Sequence, residues 1–528
     1  VKIELLPLSG TPLVESWLRG EEKALAYFGG NPRELESYRR KAVEVGARFT
    51  REDRHAIASA LTGGGADREE RLRAFAEEGG CMVTTGQQPG LFGGPLYCLY
   101  KGLTASVLAA RLQSELGCPV LPLFWVASED HDWEEVRGVH AFDQENRLHK
   151  VSLPPLGGSA HSIHRIRLDS SIASAIEEFL GYHPASDFSE RWRSLIHEGY
   201  PAGGTLSAGF GRIMEELLAP AGVFVVQAHD KLLKERSKPL LLRELRESRE
   251  REAVLRTGAE SLLRDGFSLQ VPLLEGATNL LFEGGAGRER LFIEGDGFRL
   301  RGSERRITLA EIEASVEEDS SLLSPNVLLR PVVESALLPT LSYVGGGAEV
   351  AYWGQNIPLF RAVGIAPPIV HPRASFVLVE KKIDKVLKKF GLETEEMARP
   401  PHELLAEVLR DALPAEAAGT LHNLRAAIQF GFEEVRSEAG KIDPTLRGAI
   451  DSPMKRSLDL IDEVEKKLLQ SVRRAEELSL DQVAKAQAHL YPEGVRQERM
   501  LNPFYYLMRY GDDFLRELHE RTREAVLP

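Results

Sequence analysis

Residues 120–127, Val-Leu-Pro-Leu-Phe-Trp-Val-Ala, are apolar on both alternating faces. That is the pattern of a parallel strand covered by helices on both sides. Ahead of it, Leu96, Tyr100, Leu103, Val107 and Leu108 recur at spacings of three and four, and Gly117 followed by Pro119 is a stop signal, so a helix is predicted over about 94–117. Cys81, Met82 and Val83 form a further apolar run before that helix. Residues 81–127 therefore read as strand, turn, helix, strand, a βαβ unit.

More strands are predicted at 222–227, after an amphipathic segment carrying Phe210, Ile213, Leu217 and Leu218, and at 341–344 and 369–370. Strands alternating with helices predict an α/β fold with a Rossmann-like doubly wound parallel sheet. A chain of 528 residues is too long for one ordinary core. Its texture changes over 138–200 and 250–320, where short alternating runs such as 291–293 lie between glycine-rich turns. These two stretches read as inserts, which leaves 1–137, 201–249 and 321–375 for the core.

Beyond residue 373, Phe376, Val379, Ile383, Val386 and Phe390 alternate spacings of three and four, with Lys381, Lys382, Lys385, Lys388 and Lys389 on the other faces. This predicts a helix with a coiled-coil seam. Leu421, Leu424, Ile428, Phe432 and Val435 predict a second helix, and Ile461, Val464, Leu468 and Val472 a third, which Pro453 should begin or kink. A helical hairpin or long antiparallel coil over 376–490 follows, with a seam suited to pairing two subunits. The lysine face reads as solvated, with a phosphate site as the alternative. Residues 491–528 are left as a C-terminal segment returning to the core.

Lys plus Arg total 66 and Asp plus Glu 79, a formal net charge of −13, which argues against a general nucleic-acid surface and for a small ligand. No run approaches eighteen apolar residues, and the first ten residues lack a basic region followed by an apolar one, so neither a membrane span nor a signal peptide is expected and the protein reads as cytoplasmic. Cys81, Cys98 and Cys118 are well separated and form no CxxC pair, so neither a disulfide scaffold nor a thiolate zinc site has support.

Three segments concentrate chemistry. The first is TTGQQPGLFGGPLYCLYKG, residues 84–102, a glycine-rich turn between strand and helix that matches neither GxxxxGK[ST] nor GxGxxG. Gly86, Gly90, Gly93 and Gly94 allow close approach of backbone to a ligand, and Gln87 and Gln88 suit polar ligand groups, where a plain βα connection is the bland reading. Lys101 lies one to two helical turns inside, either an anion contact or an ordinary surface lysine. The second is SEDHDWEEV, residues 128–136. Glu129, Asp130, His131 and Asp132 at a strand end suit general acid–base work or magnesium beside a nucleotide, while N-capping by Asp132 accounts for part of the cluster. The third, residues 328–355 leading to PPIVHPRASF, offers Arg330 and Arg373 for carboxylate or phosphate, and Glu349 and Tyr352 facing the same cleft; His371 reads as structural.

Taken together, TGQQxGLxxGPxYxxxK, FWxxxEDHD and RPxxxxxLLPTxxYxxGxxExAYW, in that order before a coiled-coil tail and the ending LYPEGVRQERMLNPFYYL, resemble the bacillithiol biosynthesis cysteine-adding enzyme family. The resemblance implies a ligase joining the carboxyl group of cysteine to the amine of glucosaminyl-malate. It also implies a Rossmann core interrupted by two connecting-peptide inserts and a coiled-coil domain that dimerises. The core of the family is similar to class I aminoacyl-tRNA synthetases, which implies activation of cysteine by ATP or another nucleotide, with Mg2+ a candidate companion, although the HIGH and KMSKS signatures of those enzymes are not visible. Two positions depart from the family pattern: Ala348 stands where a glycine is expected, and would be strained if φ > 0 were required, and Glu334 stands where glutamine is expected.

On this reading Gly86, Gln87, Gln88, Tyr97 and Lys101 cradle the ligand, Glu129, Asp130, His131 and Asp132 supply acid–base or metal chemistry with His131 as base, and Arg330 and Arg373 take the malate carboxylates. Metal ligands stay unassigned. Three rivals have distinct requirements: a nucleotide-dependent transferase or hydrolase would not need cysteine, a coiled-coil scaffold would tolerate loss of residues 129–132, and a metal-dependent hydrolase would need no ATP.

Overall fold

The computed structural model describes residues 1–158, 160–301, 306–411, 415–443, 445–475 and 477–526. They form two compact units, Ile3–Val377 with Glu498–Pro528, and Val1–Lys2 with Leu378–Gln497.

The larger unit is built on a six-stranded sheet. In chain order its strands are β1 (Thr62–Gly63), β2 (Cys81–Gln87), β3 (Val120–Val126), β4 (Phe224–Gln227), β5 (Thr340–Gly345) and β6 (Ile369–Pro372). Across the sheet they run β6-β5-β2-β3-β4-β1. The edge strand β1 is antiparallel to β4, and the other neighbours are parallel. Without β1 this is the Rossmann strand order, and the order reverses between β2 and β5. Every residue of β3 is buried, as its two apolar faces require.

Helix α1 (Leu96–Leu116) joins β2 to β3 and ends at Gly117, whose φ of 67° permits the left-handed cap and whose N–H bonds Gln113. Between β3 and β4 come the hairpin of Gly138–Phe142 and Leu148–Ser152 and the helices Ser171–Gly181 and Ser189–Gly199. Between β4 and β5 come α2 (Lys231–Arg246), the helix Ser248–Arg264 and a five-stranded antiparallel sheet with Gly287–Glu294 as its middle strand. Helices α3 (Arg330–Leu337) and α4 (Gly347–Val363) flank β5 in the chain.

The smaller unit is helical: α5 (Lys381–Phe390), α6 (Ala415–Ile442), α7 (Leu446–Ala475) and α8 (Glu477–Leu490). Phe376 and Val379, expected on the first of these helices, lie instead in a strand, Phe376–Val379. All four side chains of that Phe-Val-Leu-Val run are buried, whereas a helix would turn part of it outward. Pro453 does not begin the third helix; it sits inside α7, which already starts at Leu446. Arg425 of α6 pairs with Asp462 and Glu465 of α7, and Arg436 with Asp451. As the first number rises the second falls, so α6 and α7 are antiparallel. Ile461 is buried, but Leu424, Val435, Val464 and Leu468 stay exposed along the pair.

Candidate active site

The carboxyl ends of β2 to β6 open on one cavity of about 450 Å³. Gly86 and Gln87 end β2 and Gln88 follows it, Ala127 and residues 129–131 follow β3, Ala228 follows β4, 346–349 follow β5 and Arg373 follows β6, all on its wall. This is the crevice at the reversal of strand order where open α/β sheets bind ligands.

The turn after β2 is shaped by its own geometry. Phe92, Gly93 and Gly94 have φ of 49°, 84° and 66°, and the side-chain amide of Asn502 donates to the carbonyls of Phe92 and Gly94 at 2.8 and 2.9 Å. Leu501 O accepts from Leu96 N at 2.8 Å, so the C-terminal segment occupies the start of α1. Gly93 and Gly94 thus serve the turn, while Gly86 reaches the main cavity. Gly90 and Gly94 border a smaller cavity of about 180 Å³ that shares Gln87, Gln88 and Tyr97 with the large one.

Lys101 is no surface lysine. It is 2% exposed, and its Nζ donates to Gly86 O and Gln87 Oε1, both at 2.8 Å, and pairs with Glu349 Oε2 at 2.5 Å. Burial pushes its pKa down and Glu349 pulls it back. Glu349 also accepts from Tyr343 OH at 2.6 Å and Gly346 N at 2.9 Å; burial opposes its charge, but these donors and Lys101 hold its carboxyl below the ordinary range. The ring of Tyr97 faces Lys101, Arg373 and Arg499 at 5.7, 5.7 and 5.9 Å.

In the second cluster the residues part company. Asp130 Oδ2 accepts from Gln88 Nε2 at 2.6 Å. Burial works against its charge, but hydrogen bonds with His131 and Gln88 and the Arg288 guanidinium hold Asp130 well below the usual carboxylate range. His131 Nδ1 lies 3.0 Å from Arg288 Nη1, and because a guanidinium only donates, Nδ1 accepts and the ring proton sits on Nε2. Glu129 also lines the cavity, but its Oε1 is taken by buried Lys234 at 2.5 Å. Asp132 is the correction: it is exposed, is not on the cavity wall, and caps the short helix Trp133–Val136 by accepting from Glu135 N at 3.1 Å.

Both arginines expected to hold carboxylates are already engaged. Arg330 donates to Glu334 at 2.6 Å and to Tyr352 OH at 3.0 Å. Burial pushes the Glu334 carboxyl up, while Arg330 and Thr84 oppose the shift. Arg373 forms a two-pronged pair with Glu498 at 2.9 and 2.7 Å, and both side chains are buried. The pair fastens the C-terminal segment to the end of β6, while Arg373 also lines the cavity. Ala348 lies in the first turn of α4 with no positive φ, so the missing glycine costs no strain. His371 is buried on β6, as expected for a structural residue.

Sequence reasoning missed Arg288, Arg290 and Arg499, all on the cavity wall. Arg288 and Arg290 stand two apart on the strand Gly287–Glu294 and share a face. That spacing within an alternating run was the available signal; Arg499 carried none.

A Rossmann-like sheet with a charged crevice at its switch point, followed by an antiparallel helical pair, defines an α/β protein built to bind a polar small molecule. Residues 2–374 match "Bacillithiol biosynthesis BshC, N-terminal Rossmann-like domain", and residues 376–525 match "Bacillithiol biosynthesis BshC, C-terminal coiled-coil domain". The chain belongs to the BshC family of bacillithiol biosynthesis, as its motifs indicated. Among curated relatives it is similar to the "Putative cysteine ligase BshC" of Salinibacter ruber, 30% identical over 92% of this chain and 89% of the relative. Its likeness to the protein of that name in Symbiobacterium thermophilum is 31% over 98% and 97%, and in Chlorobaculum tepidum 31% over 86% and 83%.

Proposed function

We propose that this protein is a cysteine ligase that forms an amide between the carboxyl group of cysteine and the amine of glucosaminyl-malate, the last step of bacillithiol biosynthesis. The supporting observation is the crevice itself: a hydrogen-bonding set of Gln88, Asp130, His131 and Arg288 faces the cavity of a chain whose relatives carry the name cysteine ligase.

Amide formation needs the departing oxygen of cysteine's carboxylate converted into a good leaving group, which ATP with Mg2+ supplies by adenylyl or phosphoryl transfer. The guanidinium of Arg290, unpaired among the described residues, and the exposed one of Arg499 suit a polyanion on the cavity wall. Among the described residues no group of three His, Cys, Asp or Glu side chains converges to hold a metal ion. An accompanying Mg2+ would therefore rest chiefly on the phosphates, with one carboxylate such as Asp130. The attacking amine must lose a proton, and His131 takes it at Nδ1 once the Arg288 contact opens. Asp130 stays ionised beside it to stabilise the imidazolium.

Incubation with cysteine, glucosaminyl-malate, ATP and Mg2+, followed by mass spectrometry, tests the reading. Amide with AMP supports adenylation, amide with ADP an acyl phosphate, and no amide refutes the assignment. On the same reading the protein is cytoplasmic and a homodimer paired through the exposed apolar faces of α6 and α7. No helix of the described residues is long and apolar enough to cross a membrane.

A further inference from the structure

The cations of the cavity are not equivalent. Lys101, Arg330 and Arg373 each face a carboxylate at 2.5 to 2.7 Å, namely Glu349, Glu334 and Glu498. Arg288 is spent on Ser324, Pro325 O and His131, with Asp130 at 3.9 Å. Arg499 is exposed, so water solvates it.

Arg290 has neither solution. It is half-buried on the cavity wall, and its guanidinium makes no hydrogen bond or ion pair with the described residues. Burial and the neighbouring Arg301 and Arg288 all depress its pKa. A guanidinium removed from water beside like charges is costly unless an anion meets it, and none comes from the described residues.

We propose that Arg290 is the docking point for a substrate oxyanion, a carboxylate or a phosphate, which supplies the counter-charge that the described residues do not. The planar fork suits two-pronged binding of either group. This inference rests on the ligase reading, under which the anion is either a malate carboxylate of glucosaminyl-malate or the phosphate chain of ATP.

Calorimetric titration of wild type, Arg290→Met, Arg290→Lys and Arg499→Met with each ligand separates the sources. Arg290→Met is expected to weaken one ligand roughly tenfold or more, with partial rescue in Arg290→Lys and a smaller effect in Arg499→Met. Loss confined to glucosaminyl-malate identifies the carboxylate, and loss confined to ATP the phosphate. Unchanged affinity for both overturns the proposal and leaves the ligase reading standing, provided melting curves show a folded variant; an unfolded Arg290→Met hands the decision to Arg290→Lys. If wild type binds neither ligand, the ligase reading fails and L-malate and pyrophosphate are tested alone by thermal shift. Stabilisation of wild type that Arg290→Met loses supports the anion site, and no difference overturns it.

Discussion

Lys101 Nζ and Glu349 Oε2 lie 2.5 Å apart, joining the helix after β2 to the helix after β5 across the point where the sheet reverses its order. A lysine on one crossover and a glutamate on the other thus tie the two halves of the sheet at the floor of the cavity.

Removing one partner should be worse than removing both. Lys101→Met is expected to destabilise the fold by about 3 to 5 kcal/mol, because Glu349 is left with a buried, unneutralised charge. Adding Glu349→Gln should recover part of that loss in a double-mutant cycle by urea unfolding. A double variant no more stable than Lys101→Met alone would contradict this.

His131→Ala is expected to lower turnover by about 100-fold or more while the melting temperature stays near wild type, since a half-exposed side chain carries little packing. Normal turnover in the folded variant removes His131 from the chemistry.

Arg373 and Glu498 are 3% and 2% exposed. Arg373→Gln should therefore act as a stability variant, losing about 3 to 5 kcal/mol through the abandoned Glu498 carboxylate. A variant that melts like wild type but shows a raised KM for glucosaminyl-malate would restore Arg373 to substrate binding.

Stability should fall in mild acid through His164. Burial and the stacked ring of His229, 4.4 Å away, push its pKa from the ordinary 6.5 down to about 3. Between those values the unfolded chain binds more protons than the folded one, so a contribution present above pH 6.5 is lost as pH falls toward 3. Urea midpoints measured from pH 7 to pH 4 should drop more steeply for wild type than for His164→Gln; parallel curves would refute this.

Charging the open seam should separate subunits. Val464→Asp with Leu468→Asp, both exposed positions of α7, is expected to convert a dimer into a monomer in sedimentation, with the cavity residues unaffected. Monomeric wild type, or a dimer that survives both changes, would rule out pairing through this face.

The sheet was legible because a strand buried on both sides favours apolar residues on both of its faces: 120–127 and 81–83 announce it, and the glycine cap at 117 closes the helix between them. Apolar periodicity says less at a boundary, so the run from Phe376 was assigned to a helix although its first four residues pack as a strand. The cavity wall was legible where motifs end strands, and twelve of the thirteen candidate residues line it. What the chain could not disclose was pairing. Nothing local tells that Arg373 meets Glu498, 125 positions away, or that Lys101 is consumed by Glu349. Long-range partners decide which charges remain free for a ligand, and so Arg290, in an unremarkable stretch, outranks the arginines of the motifs.

Asn502 holds the carbonyls of Phe92 and Gly94, with about four hundred residues of chain between them. During synthesis, at roughly 5 to 20 residues per second, the turn after β2 emerges tens of seconds before the side chain that secures it. A truncated or still-growing polypeptide therefore possesses every motif of the crevice without its clasp. Closure of that turn becomes a property of a chain that has reached residue 502, and a ribosome that stalls earlier releases a protein with the right letters and an unfastened turn.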